Sequence, residues 1–258
     1  MNLGIAGRKA IVCASSRGLG KACARALAEA GCEVVITGRD AKKLEAAASE
    51  LSVAGVKVIP VVADVATAEG QKALLAACPQ PDILVNNNAG PPMRDFRELT
   101  RQQMLDGVVA NMVVAIELIQ KVIDPMCERK FGRIINITSG SVKMPLAGLD
   151  LSSGARAGLT AFLAGVARKV AEKNVTINNI LPGAFDTDRL RSTLSKTAEQ
   201  TGKSEAEVAA ARMAGIPAKR FGNADEFGAA CAFLCSAQAG YITGQNLLID
   251  GGTFNGAF

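Results

Sequence analysis

The sequence predicts an α/β fold in which helices cover both faces of a seven-stranded, mainly parallel sheet. Two observations carry this prediction. Short apolar runs alternate with longer helical segments along the chain, and the runs are apolar throughout rather than at every second residue. Strands of that kind are buried on both faces, as in parallel sheets. Right-handed crossovers then give a doubly wound sheet of the Rossmann type.

The predicted elements follow one another regularly. The first apolar run leads through a glycine-rich turn into a helix that ends at Gly31, because glycine is typical just after a helix C-terminus. Residues 188–212 are polar and helix-prone without a following strand, so we expect them to leave the sheet. Strands are predicted at residues 9–14, 33–37, 56–63, 82–85, 133–138, 175–181 and 246–249, and helices at 21–31, 41–51, 67–78, 100–130, 152–172 and 225–236.

Composition limits the possible partners. No linker or composition shift divides the 258 residues, which predicts a single domain over residues 1–258. The net charge of +5 is spread along the chain, unlike the basic stripe of a nucleic-acid-binding face. No run approaches the ~18 apolar residues of a membrane span. Residues 1–8 lack the apolar core of a signal peptide. We therefore predict a cytoplasmic protein with no nucleic-acid or membrane partner.

The chain has seven cysteines and no histidine. The cysteines form no CxxC pair, so reduced, buried thiols are predicted. Without histidine, metal sites and proton relays that depend on imidazole are excluded. We predict no metal site, and proton transfer must use Tyr, Lys, Asp, Glu, Ser or Cys side chains.

A glycine-rich turn follows the first strand directly and opens the first helix. Glycines in such a turn let the backbone approach a pyrophosphate, and the free N–H groups of the helix N-terminus attract the anion. Hydroxyl and guanidinium donors precede the glycines. The predicted phosphate loop comprises Ser15, Ser16, Arg17, Gly18, Leu19 and Gly20.

Four motifs stand in a fixed order along the chain. Residues 13–20 correspond to T-G-x-x-x-G-x-G, although the first Thr-Gly is Cys-Ala here and one glycine is missing. Residues 87–90 correspond to N-N-A-G, residues 182–187 to P-G-x-x-x-T, and residues 241–252 to Y-x-T-G-x-x-x-x-x-D-G-G. Together they make the chain resemble the short-chain dehydrogenase/reductase superfamily over nearly its whole length, and its 3-oxoacyl-reductase-like members in particular.

The resemblance implies a site for a nicotinamide dinucleotide beside these motifs. Thr187 is expected to bond the nicotinamide carboxamide, and Asp64 the adenine amino group, with Val65 beside it. Further residues that the resemblance implies for cofactor binding are Asn88, Ala89, Gly90, Pro182 and Gly183.

The end of the second strand predicts which dinucleotide binds. NAD-selective relatives place an acidic residue there for the ribose hydroxyls, whereas Gly38 stands at about that position. Arg39 and Arg17 would flank a 2′-phosphate, for which a guanidinium is well shaped. We therefore predict NADP(H) in preference to NAD(H). The alternative interpretation is that both arginines are solvated surface residues.

The resemblance also implies a catalytic set, of which two members are present. Asn111 corresponds to the family's helix asparagine and Ser139 to its catalytic serine. The tyrosine and lysine of Y-x-x-x-K fall on Ser152 and Arg156, and the one tyrosine, Tyr241, belongs to the C-terminal motif. A serine hydroxyl is a far weaker acid than a phenol, whose reference pKa is about 10, and an arginine keeps its proton. Arg156 can still bond the nicotinamide ribose.

Three functions remain open from the sequence. The first is an oxidoreductase acting on a carbonyl or hydroxyl group, with Lys143, Asp150, a water held by Ser139 and Ser152, or an acidic group of the substrate as proton source. The second is an NADP(H)-binding sensor or inactive partner without redox turnover. The third is non-redox chemistry, such as an elimination, hydration or isomerisation.

We expect the substrate to bind beyond the turn of residues 87–90. We expect a small-molecule substrate, covered by residues 185–215 as in the family. The resemblance implies a homotetramer or homodimer. An apolar wall is predicted from Pro91, Pro92, Met93, Leu146 and Leu149.

Overall fold

Seven strands form one sheet in the structure, a computed structural model that describes residues 2–52 and 55–256. All neighbouring strands pair in parallel. The strands are β1 (Lys9–Val12), β2 (Glu33–Gly38), β3 (Val58–Val62), β4 (Ile83–Asn86), β5 (Gly132–Ile137), β6 (Val175–Pro182) and β7 (Asn246–Ile249), in the order β3-β2-β1-β4-β5-β6-β7. The chain order reverses between β1 and β4, so the predicted doubly wound fold is confirmed.

Nine α-helices surround this sheet within the described residues. They are α1 (Gly18–Glu29), α2 (Ala41–Leu51), α3 (Ala68–Ala77), α4 (Arg101–Val108), α5 (Val114–Glu128), α6 (Asp150–Val170), α7 (Asp188–Thr201), α8 (Glu205–Ala214) and α9 (Ala224–Cys235). None of the helices in residues 2–52 and 55–256 is long and apolar enough to cross a membrane.

Two apolar layers hold the helices on opposite faces of the sheet. In one layer, Leu27 of α1, Leu44 of α2 and Phe227 of α9 pack together with inward-facing strand residues. In the other, Leu118 of α5 and Leu159 of α6 belong to the core cluster. All seven cysteines are free thiols, and all except one are buried, as predicted.

The long predicted helix of residues 100–130 is interrupted. A π-helical turn, Val109–Val113, separates α4 from α5 and contains Asn111. Asn111 Nδ2 donates to the carbonyl oxygen of Gly107 at 3.0 Å. Such turns concentrate at functional sites, and hydrophobic periodicity does not reveal a single extra residue in a turn.

The functional loops share one edge of the sheet. Because all strands run parallel, the carboxyl ends of β1, β4, β5 and β6 lie side by side. The phosphate loop, residues 87–90, Ser139 and Gly183 follow these four ends. The predicted excursion of residues 188–212 is confirmed as the helix pair α7 and α8.

Candidate active site

The phosphate loop leaves the first N–H groups of α1 without a side-chain cap. Arg17 is the N-cap residue, but its side chain makes no capping hydrogen bond, and the first turn has no acidic residue. Gly18 has φ +58°, and a Cβ built on Gly20 would lie 2.5 Å from the carbonyl oxygen of Ala14. The backbone is thus open where the helix dipole attracts an anion. The loop fits the pyrophosphate of a dinucleotide.

Ser15 and Ala14 determine the shape of the loop. Ser15 Oγ donates to the Val12 carbonyl at 2.6 Å and accepts from the Thr37 N–H at 3.1 Å. We expected this hydroxyl to bind phosphate, but it is buried and already bonded to the loop and β2. Ala14, where the family pattern has glycine, adopts φ 46°. That left-handed conformation costs a residue with a Cβ about 1–2 kcal/mol. Alanine is therefore strained at this position, although its side chain is small.

A side chain at position 38 would be crowded in the region predicted for a 2′-phosphate. A Cβ built on Gly38 would lie 3.1 Å from both Cβ and Oγ of Ser16. Arg39 Nη1 lies 3.7 Å from Asp64 Oδ2, and 73% of the Arg39 side chain is exposed. An exposed pair of this kind contributes at most about 1 kcal/mol. An incoming phosphate can therefore replace Asp64 as the partner of Arg39.

Asp64 and Val65, which are predicted to lie at the adenine, have different surroundings. Asp64 Oδ1 accepts from the Ala66 N–H at 2.9 Å. The Val65 side chain is buried in the core, and its carbonyl oxygen accepts from Gln71 Nε2 at 3.1 Å. The side chain of Val65 therefore belongs to the core and not to a binding surface.

Four asparagines form a row across four neighbouring strands. Asn86 Nδ2 donates to Asn136 Oδ1 at 2.9 Å, and Asn136 Nδ2 donates to Asn179 Oδ1 at 3.0 Å. Asn179 Nδ2 continues the row to Asn246 Oδ1 at 2.8 Å. The row crosses β4, β5, β6 and β7 at paired positions and fixes their register. Sequence reasoning missed it, although each of these strands contains an asparagine.

The next two asparagines connect the turn after β4 to other elements. Asn87 Nδ2 donates to the Ala14 carbonyl at 3.2 Å, which couples the turn to the phosphate loop. Asn88 Nδ2 donates to the Ala110 carbonyl at 3.1 Å, in the π-helical turn. The turn is therefore held between the phosphate loop and the helix that contains Asn111.

Ser152 and Arg156 interact directly on the first turns of α6. Arg156 Nη1 donates to Ser152 Oγ at 3.1 Å, and Ser152 is buried. Burial, together with the charge of Arg189, lowers the pKa of Arg156 to about 10. The guanidinium thus stays cationic at neutral pH and keeps its proton. The two residues predicted at the tyrosine and lysine positions thus meet in the structure.

A small polar cavity connects Arg156 to Asn111. Both residues line it, together with Asn87 and Asn88, and its volume is about 30 Å³. Within the described part of the chain, Asn111 Oδ1 is buried and has no hydrogen-bond partner. An unsatisfied buried acceptor costs ~1–3 kcal/mol, and a water needs only ~10–15 Å³. The cavity fits a water between Asn111 and Arg156.

Ser152 also faces a second pocket on the substrate side. Pro91, Pro92, Leu149 and Arg94 line this pocket with it. The predicted apolar wall is therefore present in part. The two remaining predicted members, Met93 and Leu146, are 59% and 46% exposed and do not line the pocket.

Ser139 is the N-cap residue of a short helical turn, and its hydroxyl group acts there only as an acceptor. Its Oγ accepts from the N–H of Ser141 at 3.1 Å and from Ser141 Oγ at 2.9 Å. This turn, Gly140–Val142, packs against α6. Because a hydroxyl has one donor besides its acceptor sites, Ser139 can still donate to a substrate oxygen.

The other candidate proton donors are directed elsewhere. Lys143 Nζ lies 5.5 Å from the ring centroid of Phe254. The Asp150 carboxylate accepts from the Gly148 N–H at 3.1 Å. Tyr241, which the sequence assigned to the C-terminal motif and not to proton transfer, is fully exposed at the surface. Within residues 2–52 and 55–256, none of these three side chains bonds to Ser152 or Arg156.

The start of α7 spans the cleft between the phosphate loop and the turn after β4. The methyl group of Thr187 lies 3.8 Å from a Cβ built on Gly18. Arg17 Nη1 lies 3.7 Å from Asp188 Oδ2. On the other side of the cleft, Nη1 and Nη2 of Arg189 each lie 2.9 Å from a Cβ built on Gly90. Sequence reasoning missed Arg189, because its helix reads as a solvated one.

Close packing explains one further glycine of the predicted cofactor set. A Cβ built on Gly183 would lie 2.6 Å from Asp250 Cβ. The ends of β6 and β7 can approach only if position 183 has no side chain. Pro182 precedes it, and its carbonyl oxygen lies 3.3 Å from a Cβ built on Gly140. Both residues thus position the loop after β5.

Comparisons with known proteins cover nearly the whole chain. Residues 13–253 match the sequence model of the family described as Enoyl-(Acyl carrier protein) reductase. The NADPH-dependent reductase BacG of Bacillus subtilis is 30% identical over 95% of this chain and 97% of its own length. The 3-oxoacyl-[acyl-carrier-protein] reductase FabG of Escherichia coli is 32% identical over 96% and 98%. The structure of L-sorbose reductase from Gluconobacter frateurii, complexed with NADPH and L-sorbose, superposes with TM-score 0.93 at 29% identity, covering 99% and 100%.

Proposed function

The chain belongs to the short-chain dehydrogenase/reductase superfamily of oxidoreductases, and from that membership we propose that it reduces the carbonyl group of a small molecule with NADPH, using Ser152 and Arg156 in place of the usual tyrosine and lysine. The observation that carries this proposal is the 3.1 Å hydrogen bond from Arg156 Nη1 to Ser152 Oγ. In this bond, a guanidinium that lines the polar cavity supports a hydroxyl that lines the second pocket, which supports the proposed role of the pair.

Bound NADPH would supply a hydride to the carbonyl carbon. The N–H groups at the start of α1 would bind its pyrophosphate. Thr187, Asn88, Gly90 and Pro182 would border its nicotinamide half. The overall change converts one carbonyl group and one proton, together with the hydride, into an alcohol.

Ser139 and Ser152 bind the carbonyl oxygen, and Arg156 stabilises the negative charge that develops on it. Preorganised donors at such a position contribute ~10²–10³ in rate each. Ser152 donates its proton to the oxygen while its own oxygen remains bonded to Arg156. After the alcohol leaves, Ser152 regains a proton from solvent water that enters the substrate pocket, which Ser152 lines. A water in the polar cavity bonds to Asn111 Oδ1 and to Arg156 and holds the guanidinium in place. Arg156 itself moves no proton, because its guanidinium stays charged.

The cofactor preference rests on Arg39 and on the crowded space at Gly38. We expect Arg39→Glu to weaken NADPH binding by at least about 10-fold, because a phosphate–guanidinium contact becomes a repulsive one. NADH binding should change less than about threefold. Titrating both cofactors against the wild type and the variant measures this, with Lys42→Glu on the same surface as the charge control. Equal losses for NADPH and NADH in Arg39→Glu would contradict the preference for NADP(H).

The remaining expectations extend the same proposal. Residues 185–215 cover the substrate, and the contacts of α7 with the phosphate loop and with Gly90 support this role. Exposed apolar residues, among them Met104 and Val108 of α4 and Phe162 of α6, support assembly into a homotetramer or homodimer. Buried free thiols support a reducing, cytoplasmic setting.

A further inference from the structure

Three arginine side chains lie in or beside the substrate pocket. The guanidinium of Arg189 lies over Gly90, with Nη1 and Nη2 each 2.9 Å from the position of a Cβ on that glycine. Arg94 lines the pocket that holds Ser152, and Arg156 bonds to Ser152 from behind it. The charge of Arg189 is close enough to Arg156 to lower its pKa. Two like charges held this close repel one another, which favours an anion beside them.

The nearby carboxylates have other partners. Asp186 pairs with Arg191 at 3.0 Å, and Asp188 lies 3.7 Å from Arg17. Asp95 pairs with Arg97 at 3.0 Å. Within the described residues, no carboxylate forms an ion pair with the guanidinium of Arg94, Arg156 or Arg189. The positive charge of the pocket is therefore left for a ligand.

We propose that the substrate is a carbonyl compound with a free carboxylate, a 2-oxo or 3-oxo acid, whose carboxylate binds the guanidinium of Arg189. The inference rests on the proposed reductase function and specifies its substrate class. Pro91, Pro92 and Leu149 contact the apolar part of the substrate. Ser152 lines the pocket with these residues, and Gly90, which Arg189 covers, directly precedes Pro91. The reacting carbonyl therefore sits only a short distance from the anionic end.

The carboxylate also accounts for a site without a phenol. In a 2-oxo acid, pairing with Arg189 offsets the negative charge of the carboxylate, so that the carboxyl group withdraws electrons from the neighbouring carbonyl. The carbonyl carbon then becomes a better hydride acceptor and the resulting alkoxide a weaker base. Serine, which regains its proton from water, is then a sufficient acid for that alkoxide. A less basic oxygen needs less proton transfer in the transition state. The alkoxide adds a second negative charge to the substrate. The positive charges of Arg156 and Arg189 offset both charges.

Two matched ligand pairs test the inference. Hexanoate and hexanamide have the same chain and nearly the same shape but differ in charge, and their binding to the protein–NADPH complex can be followed by NADPH fluorescence. 2-Oxohexanoate and its methyl ester form the corresponding pair for turnover. We expect the wild type to prefer the acid in each pair by about 10–100-fold, in Kd for the first and in kcat/KM for the second. Arg189→Met should remove most of this preference and leave hexanamide binding unchanged.

The control variant is Lys196→Met, which removes an exposed charge further along α7 and should leave both pairs unchanged. Arg189→Met should keep the Kd for NADPH. If NADPH binding falls as much as hexanoate binding, Arg189 serves the cofactor and the inference is wrong. Turnover of the ester equal to that of the acid would also overturn it, while leaving the reductase function intact. Preferential hexanoate binding without oxidation of NADPH would retain the anion site and contradict the reductase function instead.

Discussion

Replacing Ser152 by Tyr together with Arg156 by Lys should raise kcat for carbonyl reduction by about 10²-fold or more. The double variant restores a phenol whose pKa a neighbouring cation can lower into a useful range, and a placed general acid contributes ~10²–10⁴ in rate. Asn111, Ser139 and the polar cavity are already present to support it. Steady-state oxidation of NADPH with 2-oxo acids measures the gain.

The single variants separate the contributions of the two positions. Ser152→Tyr alone should gain less than the double variant, and Arg156→Lys alone should gain nothing. Ser152 is buried, so each variant must first show unchanged NADPH binding and a cooperative thermal transition. A double variant that folds and binds NADPH but is no faster than the wild type would show that the missing phenol does not limit this site.

Removing the charge at position 156 should have the second large effect. Arg156→Met keeps a long side chain but loses the donor to Ser152 and the cation beneath the developing oxyanion. We expect kcat to fall by about 10²–10³. Arg168→Met is the matched control, because Arg168 is exposed near the end of the same helix, and its kcat should match that of the wild type.

The pH profile distinguishes this role from a structural one. The pKa of Arg156 is lowered to about 10, so the protonated form is complete well below that value and is lost as pH rises through it. The wild-type kcat should therefore be flat from neutral pH to about 9 and fall near pH 10. Arg156→Met should lack that fall. A wild-type profile with an inflection at neutral pH would instead assign the proton to another group.

The sheet was predictable because its signal is strong and local. Apolar runs such as the one in β5 cannot be solvated, and their alternation with helices leaves few topologies. The resemblance also placed Ser152 and Arg156 in one register, and their hydrogen bond confirms that the two side chains meet. A spacing of four residues on a helix brings side chains together without knowledge of the rest of the fold.

Features that depend on distant parts of the chain were not predictable in the same way. Arg189 faces Gly90 only because α7 crosses the cleft, and no periodicity in its own helix indicates that contact. The hydroxyl of Ser15 is bonded to the loop and β2, a use that the sequence does not distinguish from phosphate binding. The π-helical turn at Asn111 likewise depends on tertiary packing.

The transfer of a labelled hydride tests the central claim most directly. The wild-type protein is incubated with NADPH deuterated at the transferred position of nicotinamide C4 and with 2-oxohexanoate, and the product is examined by mass spectrometry. The account predicts one deuterium on the carbinol carbon for the wild type, faster incorporation for the Ser152→Tyr/Arg156→Lys variant, and slower incorporation for Arg156→Met. Tight NADPH binding without deuterium in any product of the wild type would contradict it.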